Sequence, residues 1–255
     1  MLFILRQLRR LELRKRSGQY FLYAFGEIVL VVVGILVALQ INNWNEERKL
    51  KNERRQLIEK LEYDFRVNLP RIDESIELAE ERNEGLRSFL SAVGTRNEAV
   101  SVNDLKTLVL NGFSGLGVPP NINSYNTAVN TGTINLIEDP VLSDLFTTFE
   151  DRVSTYTELV DINRDDVLTG MSAKVRGELG SFGLLFPEER SMYLGHPLAD
   201  QTIFQISDEA FREFLSRKHV YSAFENRLII RSRISSTQHR VKETMEEILA
   251  RLEEL

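Results

Sequence analysis

The chain has 255 residues, a formal net charge of −6 and no cysteine, which excludes disulfides, zinc–thiolate centres and thiol catalysis. Its 42% hydrophobic residues suffice for a sizeable core. Residues 42–255 carry 26 basic and 36 acidic side chains, a net −10, so no nucleic-acid partner is expected.

Residues 1–19 alternate Leu5, Leu8 and Leu11 with Arg6, Arg9, Arg10 and Arg14. This reads as a basic amphipathic segment lying on the cytoplasmic leaflet, with a disordered basic tail as the plainer alternative. From Tyr20 to Ile41 the only full charge is Glu27. As a helix that stretch is about 33 Å long, matching a hydrocarbon core of about 30 Å. The run Ile28 to Leu39 is apolar on every face, unlike a surface helix. It is too long for a signal-peptide core, and no small-residue cleavage site follows it. Residues 20–41 are therefore expected to form one transmembrane helix, with Tyr20, Tyr23 and Trp44 as interfacial anchors.

Within the span, Gly34 and Ala38 fall within about 20° of the line through Glu27, at 100° per residue. One acid and two small residues thus share a face, and Gly34-x-x-x-Ala38 is a pattern that permits close helix approach. This face is expected to pack against a second copy or a partner's span. The alternative is that Glu27 simply snorkels toward the basic interface. Arg6, Arg9, Arg10, Arg14, Lys15 and Arg16 before the span slightly outweigh Arg48, Lys49, Lys51, Arg54 and Arg55 after it. The positive-inside rule then puts the N-terminus in the cytoplasm of a bacterial inner membrane and the C-terminal domain outside it.

After the span, Ile58, Leu61, Phe65, Leu69, Ile72, Ile76, Ala79, Leu86 and Leu90 step by helical intervals. The transmembrane helix is expected to continue into this amphipathic helix, with Pro70 marking a kink or a junction. A second stripe runs Leu142, Phe146, Phe149, Val153, Tyr156, Val160, Asn163, Val167, Met171, with Pro140 at its start and Gly180 just past its end. A third runs Ile230, Ile234, Val241, Met245, Ile248, Leu252, Leu255, with Thr237 and Gln238 in its gap. Short helices are expected over 101–111, 123–130 and 207–216, capped by Ser101, Asn123 and Ser207 or Asp208. No run alternates with period two. The fold expected is all-α: residues 42–255 form a soluble, coiled-coil-like bundle whose three long helices run up, down and up. The apolar connections 111–121 and 181–206 are expected to fold back over it, with a binding surface as the alternative.

The chemistry-bearing motifs are weak. Gly112 and Gly117 have phosphate-loop separation, but Val118 and Pro119 stand where Lys and Ser/Thr belong, which leaves turn glycines. Asp161 to Asp166 lacks the glycine and the final glutamate of a calcium loop. His196, His219 and His239 show no ligand spacing. No catalytic residues, metal or cofactor are expected. The polar residues on apolar seams, Asn163 and Gln238, are the candidate interior site. They either make structural hydrogen bonds that hold helix register or line a polar pocket for a small ligand.

The segment from Tyr23 to Lys49 carries Gly26-Glu27-Ile28, then Gly34-Ile-Leu-Val-Ala-Leu-Gln40, then Asn42-Asn43-Trp44-Asn45. It resembles the hallmark of a large family of uncharacterised single-span bacterial membrane proteins bearing a domain of unknown function. Ser124 to Asp139 is similar to that family's tyrosine-led helix, glycine turn and Leu-Ile segment. The resemblance is close over residues 20–50 and recognisable over 123–150. It implies a single span, a helical soluble part and no known cofactor.

The function expected is that of a membrane-anchored, non-enzymatic interaction or scaffold protein. Its partners would be membrane lipids and, through the span, a second copy or another membrane protein. The alternative is a small-molecule sensor, which with only residues 1–19 before the span would need a partner to carry its signal.

Two outcomes test the membrane reading. A cysteine at Glu254 should react with an impermeant thiol reagent in intact spheroplasts, and labelling only after lysis would reverse the orientation. Gly34→Ile should abolish crosslinking between spans in membranes, whereas Glu27→Gln should retain some. If Gly34→Ile crosslinks like the parent, that face meets lipid.

Overall fold

The computed structural model describes residues 2–113, 119–179 and 207–255, with the backbone alone for residues 2–24, 110, 111, 113 and 179. Among them there are helices and no strand. The chain divides into two compact units, Met1–Leu57 and Ile58–Leu255.

Helix α1 spans Leu2–Gly94 and runs through Pro70 without a junction. The proline removes one bond, to the carbonyl of Arg66. Both residues are exposed, so water can take up that carbonyl and the helix survives. In the first unit every residue from Phe25 to Glu53 is exposed. This is the one described helix that is long and apolar enough to cross a membrane, by length and composition. Helix α1 stops where Arg96 takes a left-handed φ of 52°, letting the Asn97 N–H reach back to the Ala92 carbonyl at 2.9 Å.

The second unit holds α2 (Val102–Phe113), α3 (Asn123–Thr131), a short 3-10 turn (Thr133–Leu136), α4 (Pro140–Leu168), α5 (Met171–Leu179), α6 (Asp208–Leu215) and α7 (Lys218–Leu252). Three caps follow directly from local sequence. Ser101 Oγ accepts from Asp104 N–H, Asp139 from Leu142 N–H and Ser207 from Ala210 N–H. Asn123 departs from expectation: it lies inside α3, whose Ser124 N–H is satisfied by Asp64 of α1 at 2.6 Å. A carboxylate on a neighbouring helix has replaced the local cap.

The second apolar stripe breaks at Thr169–Gly170, short of the Gly180 expected from sequence, which lies outside the described residues. At Gly170 the chain turns so tightly that an added Cβ would sit 2.7 Å from Asp166 Cα. Val167 is buried, but Met171 is exposed and opens α5. Helix α7 begins at Lys218, twelve residues before the stripe read from Ile230.

Helix direction follows from which residues meet. Along α7, Phe224 packs on Phe89, Lys242 Nζ pairs with Asp73 at 2.6 Å and Glu253 with Arg66 at 2.8 Å. Against α4, Arg227 bonds to Asn163, Gln238 to Tyr156 and Arg251 to Asp139. In both series numbers rise on one helix as they fall on the other. Helix α7 is therefore antiparallel to both, and α4 runs parallel to residues 58–94 of α1. The expected up-down-up path becomes up-up-down. A short connection would force antiparallel neighbours, but residues 95–139 include two helices and carry the chain back before α4 starts.

Two apolar clusters lie along this bundle. Phe65, Tyr125, Phe146 and Phe149 form edge-to-face and tilted pairs with ring centroids 5.2–6.3 Å apart. Leu86, Phe89, Val109, Val175, Phe214 and Phe224 form the second. Between them the seam is polar. The expectation for the connection 181–206 lies outside the described residues, as do residues 114–118 of the connection 111–121.

Candidate functional site

The third stripe, traced backwards from Ile234 in helical steps, meets Arg231, Arg227, Phe224 and Val220. All four are buried, and Arg227 completely so. A fully buried cation needs acceptors, because its desolvation is otherwise uncompensated. They come from two other helices. Arg227 Nε donates to the Gly112 carbonyl, and Nη1 donates to Asn163 Oδ1 at 3.1 Å. Asp166 Oδ2 lies 3.7 Å from Nη1 and also accepts from the Ser172 hydroxyl. Arg231 Nη1 reaches the same Gly112 carbonyl at 3.3 Å.

Gly112 was expected to be a turn glycine, yet it sits in the last turn of α2. Carbonyls there lack intrahelical partners and carry the negative end of the helix dipole, so two guanidinium groups suit them. The position is also close-packed: an added Cβ would lie 3.2 Å from a Phe224 ring carbon and 3.3 Å from Leu86 Cδ1, so those side chains would have to give by a few tenths of an ångström. Gly117 lies outside the described residues. Burial pushes Arg227 down to about 10, opposed by Asp166 and reinforced by Arg176. Burial likewise lowers Arg231 to about 10, reinforced by Arg227 and Arg82. Both remain cationic at neutral pH.

Beside this cluster a cavity of about 460 Å³ opens between α1, α4 and α7. Its lining among the described residues includes Asn163 and Gln238, together with Asn68, Ser75 and Asn121. The charged lining is Arg71, Arg82, Arg231 and Glu74, and the apolar wall includes Ile72, Leu78, Ala79, Ile234 and Pro120. Asn68 is fully engaged as a strut. Its amide donates to Asp64 and Asn121 carbonyls and its oxygen accepts from Asn121 N–H at 3.0 Å, which fixes the Pro119–Asn121 segment at the cavity edge.

Gln238 is different. Its Nε2 donates to Ser75 Oγ at 2.7 Å and to Tyr156 OH at 3.2 Å. Its Oε1 is buried and has no hydrogen-bond partner among the described residues. Turning the amide over would let the two hydroxyls donate and leave the NH2 unmatched instead. Either way, one polar end of a buried amide is left without a partner among the described residues, a state that costs free energy.

The remaining sequence-selected residues lie elsewhere. Glu27, Gly34 and Ala38 are exposed in the first unit, and an added Cβ at Gly34 meets nothing within 4 Å. Trp44 is exposed, with the Arg48 guanidinium 5.8 Å from its ring centroid. The side chains of Tyr20 and Tyr23 lie outside those described. A second groove holds Glu80, Glu84 and His239, with His239 Nε2 3.3 Å from Glu80. Among the described residues no group of three or more His, Asp or Glu could hold a metal ion.

Sequence reading missed Arg227, Arg231, Arg71 and Arg82. The first two could have been found, because they occupy stripe positions at helical spacing. Arg227→Met should destabilise the fold by roughly 3–5 kcal/mol, by stranding Asp166, Asn163 and the Gly112 carbonyl. Urea unfolding of the full chain, followed by circular dichroism, measures it. A loss below about 1 kcal/mol would show that these groups do not depend on the guanidinium.

Comparison with known proteins finds one family model, described as a family of unknown function (DUF6090), which matches residues 27–172. No curated protein and no solved structure matches the chain. The match begins at the glutamate of the Gly-Glu-Ile segment and runs through α4, covering more than half of the chain. The chain belongs to this family of unknown function, DUF6090.

Proposed function

We propose that this protein is a non-enzymatic, membrane-anchored helical module whose bundle binds a small molecule. The observation that carries this reading is the cavity between α1, α4 and α7, whose lining combines Asn68, Asn163 and Gln238 with apolar side chains. Ligand sites between the helices of a bundle are typically concave and largely apolar, with a few placed polar groups. This cavity has that composition.

In the same proposal, residues 20–41 cross the inner membrane of a bacterium. The N-terminus faces the cytoplasm and the bundle lies outside. The open face bearing Glu27, Gly34 and Ala38 meets a second copy or another membrane protein, through which ligand occupancy would be reported. A second reading, a scaffold without a ligand, draws on that same face, where Gly34-x-x-x-Ala38 is a small-residue pattern that permits close helix approach.

The ligand reading is tested by filling the cavity. Ala79 lines it, and Ala79→Phe should occupy space while sparing both apolar clusters. The full chain in lipid nanodiscs is screened by thermal shift against metabolite-sized acids, amines, sugars and nucleosides. At least one compound should stabilise the parent and not a folded Ala79→Phe protein. If none separates the two, the cavity is a packing feature and the scaffold reading stands.

A further inference from the structure

The charges around the cavity are unequal. Three guanidinium groups, Arg71 and Arg82 from α1 and Arg231 from α7, line it against a single carboxylate, Glu74. Arg71 is exposed, Arg82 half-buried and Arg231 buried, so they form a series from the mouth inward. Among the described residues Arg71 and Arg82 make no salt bridge, with Glu74 or with any other acid. Arg231 is held by the Gly112 carbonyl, and the guanidinium groups of Arg227 and Arg82 add positive potential to its own. Guanidinium is the side chain best suited to bind a carboxylate or phosphate, through paired N–H donors in a planar fork. Beyond the charges, Ile72, Leu78, Ala79 and Ile234 offer an apolar surface.

We infer that the cavity is an organic-anion site: Arg82 and Arg231, with Arg71 at the mouth, bind a carboxylate or phosphate group while the apolar body of the ligand lies against Ile72 and Ile234. The inference rests on the ligand reading above and adds the chemical class. A cation would meet three like charges, and a neutral molecule would forgo the charge-assisted bonds. The site is selective, because a bare inorganic anion would leave the apolar wall unused.

The test uses probes of one shape and different charge. Benzoate, benzamide and benzamidine share a phenyl body and carry a negative, neutral and positive group, and phenyl phosphate distinguishes a phosphate site from a carboxylate site. Binding to the full chain in nanodiscs is measured by calorimetry, with empty nanodiscs subtracted. Benzoate or phenyl phosphate should bind at least about tenfold more tightly than benzamide, the scale of one charge-assisted hydrogen bond, and benzamidine more weakly still. Arg82→Gln should cut anion affinity about tenfold and leave benzamide unchanged. Arg71→Gln, exposed and safe for folding, should cut it by a smaller factor in the same direction. Ala79→Phe should remove binding of every probe. Equal or tighter binding of benzamide or benzamidine, lost in Ala79→Phe, would overturn the anion assignment and leave the ligand reading intact. Anion binding indifferent to both arginine variants would also overturn it. If no probe binds in a way that Ala79→Phe abolishes, the ligand reading fails as well.

Discussion

A guanidinium group with no exposed surface is the feature around which the bundle is organised. Arg227 stands on the stripe of α7 where an apolar residue would simply pack, and burial there obliges its neighbours to supply acceptors. They come from the C-terminal carbonyl of α2 and from Asn163 and Asp166 of α4. The arginine thereby ties three helices into one register, with Gly112 of α2 closely packed against Phe224 and Leu86. Hydrogen bonds of this kind add little net stability but are costly to break once buried. They specify an arrangement more than they strengthen it.

Stability comes instead from the two apolar clusters on either side. Phe65, Tyr125, Phe146 and Phe149 interlock at one level, and Leu86, Phe89, Val175 and Phe224 at another. Packed rings and aliphatic groups in such layers supply most of the favourable burial. With the helices clamped at two levels, the layer between them tolerates Asn163, Gln238 and Arg231 on seams that would otherwise be dry. It also tolerates incomplete packing, and the cavity lies in that layer. A polar, imperfectly filled level between two filled ones is what a binding site inside a helical bundle requires.

The first unit obeys a different rule. Its apolar residues from Phe25 to Leu39 are exposed. For a soluble chain this would be a liability; for a helix in hydrocarbon it is the favourable state. The family match starts within this helix and continues into the bundle, so both belong to the pattern that defines the family.

The all-helical character, the apolar helix near the N-terminus and most of the buried faces were legible in the sequence, because spacing of apolar residues is a local signal and the helix is a local structure. The caps at Ser101 and Ser207 were legible for the same reason. Family membership was too, from the Gly-Glu-Ile and Asn-Asn-Trp-Asn segments. Tertiary structure alone decided the rest. Helix direction depended on the path of residues 95–139, which periodicity does not describe, and so α4 runs parallel to α1 rather than antiparallel. Asn123 lost its capping role to Asp64, sixty residues away from Ser124, because a neighbouring helix supplied a better-placed carboxylate. Asn163 and Gln238 stood out in the sequence as polar residues on apolar seams. That they share a cavity with Arg71, Arg82 and Arg231 follows from how three helices meet. Arg227 and Arg231 stand at stripe spacing in the sequence, but that these charged side chains are buried follows only from the packing of α7 against α2 and α4.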